Sequence, residues 1–329
     1  MKKTFYIYLF LISQLFFAQQ SNQMWKGYFS YNEIVDVESS SNTVYAATEN
    51  AVFYKAIASS DLNIYNSITG LKPDAITSIH HSETLNKTFV GNSNGLILII
   101  NADGSISTKV DVIEEVPVPP NKKRINDFYE NNGLLYVATD YGISVINIAT
   151  SEFVSTYFIG TSGEETEVLQ TTVFNNEIYA VTRSFGIRKA SLSNPNLFDF
   201  SQWQTFDSGF WVGIVTFNNQ LVATGTNSRT YRFNGNTPQE VLNHNQAGLK
   251  LKTNGNELII TTLNHVYVLG QAFNVIAHVT QIPDYSVQFT AATVVDQFLY
   301  IGTEKDGLFS TTLSNPTVFT VMSPNGPIQ

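Results

Sequence analysis

The chain has 329 residues, no cysteine and a formal net charge of −9, from 18 Lys and Arg against 27 Asp and Glu. The missing cysteine excludes a disulfide framework and thiolate chemistry, and the acidic balance argues against nucleic acid as a partner, because phosphate contacts need clustered Lys and Arg. Charged residues make up 14% of the chain, below the roughly 25% usual in globular domains, and Asn, Ser and Thr fill the polar positions, as suits sheet faces and tight turns.

The first element is a targeting segment. Lys2 and Lys3 are positive, residues 5–17 are apolar apart from Ser13 and Gln14, and Ala18 is small. Residues 1–18 are therefore predicted to be a secretory signal peptide, cleaved after Ala18. The apolar run is shorter than the roughly 20 residues a spanning helix needs. Residues 19–329 are expected to be exported and soluble, with a net charge of −11 once Lys2 and Lys3 are lost.

A repeat then runs along the whole mature chain. Two apolar residues, a small residue and a Thr recur, as in Tyr45-Ala46-Ala47-Thr48, Tyr136-Val137-Ala138-Thr139 and Tyr300-Ile301-Gly302-Thr303. The anchors are Thr48, Asn92, Thr139, Thr182, Thr224, Thr262 and Thr303, at intervals of 44, 47, 43, 42, 38 and 41 residues. Before each anchor strand lies an apolar strand, such as residues 76–79, 125–129, 168–174, 212–217 or 287–295, and a turn rich in Asn and Gly joins the two. Asn and Gly accept the positive φ of tight hairpin turns, so their recurrence at one phase marks a hairpin. A third strand follows each anchor, and a fourth often carries aromatic residues, as in Ile64-Tyr65 and Trp203–Phe206. Short strands at a period near 42 residues predict an all-β fold: a single seven-bladed β-propeller of four-stranded antiparallel blades, its strands A to D running from the axis outward. To close the ring, either residues 25–31 or 317–321 are expected to complete the last blade, with the N-terminal segment packed beside it.

Catalytic and metal motifs are sparse. His80 and His81 are adjacent on a strand and point to opposite faces; His244, His265 and His278 have no ligand spacing, and all five are read as surface or strand-end residues. There is no Gly-x-Ser-x-Gly elbow. Glu164-Glu165-Thr166-Glu167 is read as a solvated loop and Asp103-Gly104 as a turn. The expectation is a binding protein with no enzymatic activity, no cofactor and no metal.

The D–A connections and B–C turns share one face, and the D–A connections are longer and more varied than the short, Asn-rich A–B turns. Variable loops on a rigid scaffold commonly carry binding. This face holds Lys122, Lys123, Arg124, Tyr141, Arg183, Phe185, Phe210 and Trp211, with Asp284-Tyr285 and Lys305-Asp306 further round. Rings that stack and cations that pair an anion suit a glycan bearing acidic groups. Tyr141, Phe185 and Trp211 are expected to form one exposed cluster, with Arg183 at its edge.

Two resemblances add to this reading. Residues 66–79, followed by Val90-Gly91-Asn92-Ser93-Asn94-Gly95-Leu96, resemble the two-component-regulator propeller repeat. The segment Trp25-Lys26-Gly27-Tyr28-Phe29-Ser30-Tyr31-Asn32-Glu33-Ile34 and the closing Pro324-Asn325-Gly326-Pro327-Ile328-Gln329 resemble the PorZ family of the type IX secretion system. That resemblance implies the N-terminal propeller of a longer protein at the outer surface of the cell. It also implies binding of anionic lipopolysaccharide, with the sortase and outer-membrane subunits of the attachment complex as partners. The other expectation, from the repeat, is the periplasmic ligand-sensing propeller of a hybrid two-component regulator.

Overall fold

The computed structural model describes residues 29–324. Residues 1–28, with the expected signal peptide and the first part of the expected N-terminal latch, and residues 325–329 lie outside the described residues.

Seven four-stranded antiparallel sheets follow one another along the chain. They are blade 1 (residues 34–65), blade 2 (76–109), blade 3 (125–157), blade 4 (168–207), blade 5 (211–243), blade 6 (248–279) and blade 7 (289–321). Each anchor is the last residue of a B strand, or in blade 5 the last but one, and its side chain donates across the following B–C turn. The Thr139, Thr182 and Thr303 hydroxyls reach the carbonyls of Gly142, Gly186 and Gly307 at 3.0, 2.9 and 2.8 Å, and Asn92 Nδ2 reaches Leu96 O at 2.8 Å. The recurrent Thr is therefore a turn clasp. The A–B turns hold positive φ at Asn132-Gly133, Asn175-Asn176 and Asn218-Asn219, the requirement of two-residue hairpins.

The hydrophobic core is divided into seven clusters, one in each seam between neighbouring blades. B strands carry residues for both of their seams: Leu135 and Val137 face blade 2, while Tyr136 and Ala138 face blade 4. This is why the B strands are buried almost throughout. The small residue before the anchor admits the next blade. A Cβ on Gly91 would lie 2.6 Å from Ile125 Cγ2, and one on Gly302 would lie 2.5 Å from Ile34 Cγ2.

The ring closes between blades 7 and 1. Asn315–Val321 completes blade 7 as its outer strand. Tyr31 packs with Val37, Phe53, Tyr300 and Leu308, and Gly307 N–H donates to Asn32 O at 2.8 Å. Residues 29–31 form no strand; among the described residues this end is held by packing, the Gly307–Asn32 backbone hydrogen bond and Asn66 Nδ2 donating to the Tyr31 hydroxyl at 3.3 Å.

Candidate ligand-binding site

All seven A strands slip register against their B strands at the same place. The residues left over are Val35, Thr77, Asn126, Leu169, Val212, Leu249 and Thr290, and all seven line one cavity of about 970 Å³ on the axis. A bulge bends its strand and re-aims a side chain. Repeated sevenfold, it flares the channel into a mouth on the face of the B–C and D–A loops.

Below the mouth the channel holds buried charge. The residues after three of the bulges are Asp36, Asp127 and Gln170. Asp36 is fully buried; Lys252 Nζ lies 3.0 Å and Lys250 Nζ 3.5 Å from its Oδ1. Burial pushes the Asp36 carboxyl up, but the two lysines and the Ile79 N–H outweigh burial and hold it below the usual carboxylate value. Lys252 also donates to Val37 O at 2.6 Å and meets Glu38 at 3.2 Å. Burial pushes Asp127 up to about 7, against the pull of Lys250 and Lys252. These groups were missed in the sequence. Their signal was present as pairs of like charges at alternate positions of inner strands, Asp36 and Glu38 in Ile34–Ser39 and Lys250 and Lys252 in Gly248–Thr253.

The mouth carries both signs of charge: Arg124, Arg183 and Glu167 stand at blades 3 and 4, and Glu33, Glu49, Glu304 and Lys305 stand across the opening at blades 1 and 7. Arg183 grips Glu167 with two bonds, Nη2 to Oε1 at 2.8 Å and Nε to Oε2 at 3.2 Å. That hydrogen bonding raises the Arg183 guanidinium above its ordinary value. Both side chains are substantially exposed, so the pair is weakly held and an incoming anion can compete with Glu167.

The other expected residues are dispersed. Tyr141 is fully buried and its hydroxyl bonds Ser144 Oγ at 2.5 Å; burial pushes it up to about 12. Trp211 begins the A strand of blade 5, is 7% exposed, and donates Nε1–H to Asp207 Oδ1 at 2.8 Å. Lys123 is buried and its ammonium meets the carbonyls of Ile113 and Glu115. Tyr141 and Trp211 therefore correct the expected exposed cluster: both rings fill seams. Phe185 is half-buried in the B–C turn. Phe210 is 75% exposed, and Lys122 pairs with Glu165 at 2.8 Å. Of the eight, Arg124 and Arg183 line the mouth.

Two histidines also differ from expectation. His81 is buried between Tyr45 and Thr88, and His244 is buried against Thr224. His80 pairs with Glu130 at 3.2 Å, and His265 Nδ1 lies 3.0 Å from His278 Nε2. Among the described residues no group of three or more His, Asp or Glu is placed to hold a metal ion, and no helix is long and apolar enough to cross a membrane.

Comparison with known proteins places this geometry. Residues 44–204, from the first B strand to the outer strand of blade 4, match the family of type IX secretion system PorZ N-terminal β-propeller domains. No curated protein matches the chain in sequence. Among solved structures, one similar chain is PorZ, an essential bacterial surface component of the type IX secretion system of the human oral bacterium Porphyromonas gingivalis. Identity is 17% and the TM-score 0.77; the match covers 92% of this chain and 40% of that one. The extracellular domain of a putative hybrid two-component system from B. thetaiotaomicron matches at 16% identity and TM-score 0.66, over 88% of this chain and 41% of its own. Raptor from Chaetomium thermophilum matches at 14% identity and TM-score 0.67, over 88% and 28%. The chain thus spans less than half of each of these three solved chains, and at such identities they share a fold.

Proposed function

We propose that the chain is a non-enzymatic binding and scaffold module of a type IX secretion apparatus, exported by its signal peptide and working at the cell surface. The observation that carries this reading is the family match over residues 44–204. Within the module, the channel mouth receives an anionic glycan, of which lipopolysaccharide bearing acidic groups is the expected form, for delivery to a sortase-containing complex. A rigid ring offers a preformed cavity of about 970 Å³, within the range of small-ligand sites. Arg124 and Arg183 supply guanidinium donors that match the geometry of carboxylate or phosphate.

The test is the double variant Arg124→Ala, Arg183→Ala, with binding measured to anionic and to neutral lipopolysaccharide. Loss of about two charge-assisted contacts weakens binding by roughly 3 kcal/mol or more, over a hundredfold, for the anionic form alone. Unchanged affinity in the folded variant removes the mouth as the site.

The extracellular two-component neighbour supports a second reading, a periplasmic ligand-sensing propeller. Sequencing the gene beyond Gln329 separates the two. A further secreted domain favours the secretion module, and a transmembrane helix followed by a kinase favours the sensor.

A further inference from the structure

A second cavity, about 560 Å³, opens in the seam between blades 4 and 5. It is lined by A–B turn residues Asn175 and Asn219 and C–D turn residues Asn234 to Asn236, so it opens on the face opposite the mouth. Its floor is aromatic. Phe206 meets Tyr179 edge-on at 5.1 Å and leans on Phe233 at 5.0 Å, and Phe174 stands beside them. Over the floor, Lys189 Nζ lies 3.0 Å from both oxygens of Glu177, and the Tyr179 hydroxyl donates to Glu177 Oε2 at 2.7 Å. The rim carries carboxamides, including Asn219, Asn236 and Gln239.

The equivalent seam between blades 1 and 2 is shut. Tyr45 holds the position of Tyr179, three residues before the anchor, and pairs with Tyr54 where Tyr179 pairs with Lys189. Tyr45 stacks on Tyr54 at 5.4 Å, Tyr54 on Tyr65 at 6.0 Å, and His81 on Tyr45 at 4.3 Å. A cavity of only about 80 Å³ is left. One plan therefore yields a filled seam in one place and an open one in the other, and the open one has a polar rim over rings.

We propose that the seam between blades 4 and 5 binds an uncharged saccharide of one or two sugar units. The apolar face of a sugar lies on the half-buried rings of Phe174 and Phe206. Its hydroxyls, each donor and acceptor, pair with carboxamides that are donor and acceptor too. The Glu177–Lys189 pair offers both acceptor and donor while remaining neutral as a unit. Arg232, the other cation of the lining, lies over the Phe273 ring at 5.6 Å. This site is independent of the channel mouth.

Saturation-transfer NMR with the methyl glycosides of galactose, N-acetylglucosamine and glucuronate tests the proposal. Transfer to a neutral glycoside is expected. It should weaken by at least about tenfold in Lys189→Tyr, which recreates the tyrosine pair of the closed seam, and in Phe206→Ala. The mouth variant Arg124→Ala, Arg183→Ala should retain it in full. No transfer to either neutral glycoside, transfer only to the glucuronate, or transfer that survives Lys189→Tyr overturns the proposal. If Phe206→Ala fails to fold, Lys189→Tyr alone decides.

Discussion

The seam between blades 1 and 2 and the seam between blades 4 and 5 share their inner ends and differ at their outer ends. At the inner end, the side chain after the bulge accepts from the backbone of the next A strand. Asp36 Oδ2 takes Ile79 N–H at 3.2 Å, and Gln170 Oε1 takes Ile214 N–H at 2.8 Å. Both then cross the axis to blade 6: Asp36 to Lys250 and Lys252, and Gln170 Nε2 to Leu251 O at 3.0 Å. Gly213 leaves the second crossing open, because a Cβ there would sit 2.7 Å from Gln170 Oε1. The carboxylate needs lysines across the channel, whereas the carboxamide brings its own donor. At the outer end the tyrosine ladder fills one seam and Lys189 leaves the other open. The contrast separates ring-holding interactions near the axis from a periphery free to differ between blades.

The inner ends are the place to break this comparison. Asp36→Ala leaves Lys252, 12% exposed, with Glu38 as its remaining carboxylate, and removing one partner of a buried pair costs about 3–5 kcal/mol. Gln170→Ala strands the neutral Ile214 N–H and Leu251 O, for about 1–3 kcal/mol. Urea unfolding of the two variants measures both; a larger loss for Gln170→Ala than for Asp36→Ala refutes the distinction.

Asp127 is the blade 3 counterpart of Asp36, raised by burial to about 7. Between the ordinary value near 3.8 and 7 the unfolded chain is ionised while the folded chain keeps its proton. Stability from this group therefore falls as pH rises through that window. Asp127→Asn should remove this slope and unfold at higher urea than the wild type at pH 7–8. A lower midpoint there would show that the charged form is the favoured one.

His81 sharpens the outer-end comparison. Burial and then His80 lower it from 6.5, so below pH 6.5 the unfolded chain takes the proton first and stability drops as pH falls. His244 and His278 are lowered by burial with the same sign. In an Asp127→Asn background, where the opposing carboxyl slope is gone, adding His81→Phe, which keeps a ring against Tyr45, should bring the melting temperatures at pH 5.5 and 7.5 closer together. An undiminished gap assigns the whole effect to the other two histidines.

The smallest change belongs to Lys189→Tyr. It exchanges a partly exposed ion pair for ring packing, so its unfolding free energy should stay within about 1 kcal/mol of the wild type. A larger loss would mean that the open seam depends on the Glu177–Lys189 pair for stability.

Blade number and strand order were legible in the chain because their causes are local and repeated. A Thr hydroxyl spans a turn three to five residues on, as at Thr139 and Gly142, and Asn takes positive φ within its own hairpin, as at Asn175 and Asn176. Such contacts recur at a fixed phase and print themselves as a period. The destinations of side chains between blades do not. Tyr141 reads as a loop aromatic, yet its ring fills the core around Ile125 and Val137. Trp211 reads as a surface ring, yet it packs against Tyr179 and Phe233. Lys252 looks like an ordinary strand lysine, yet it pairs with Glu38, 214 positions earlier in the chain. Local hydrogen bonds set the repeat; closure of the ring brings remote strands face to face across one axis, and that proximity settles which charges are buried, which seams are filled and which residues are left to meet a ligand.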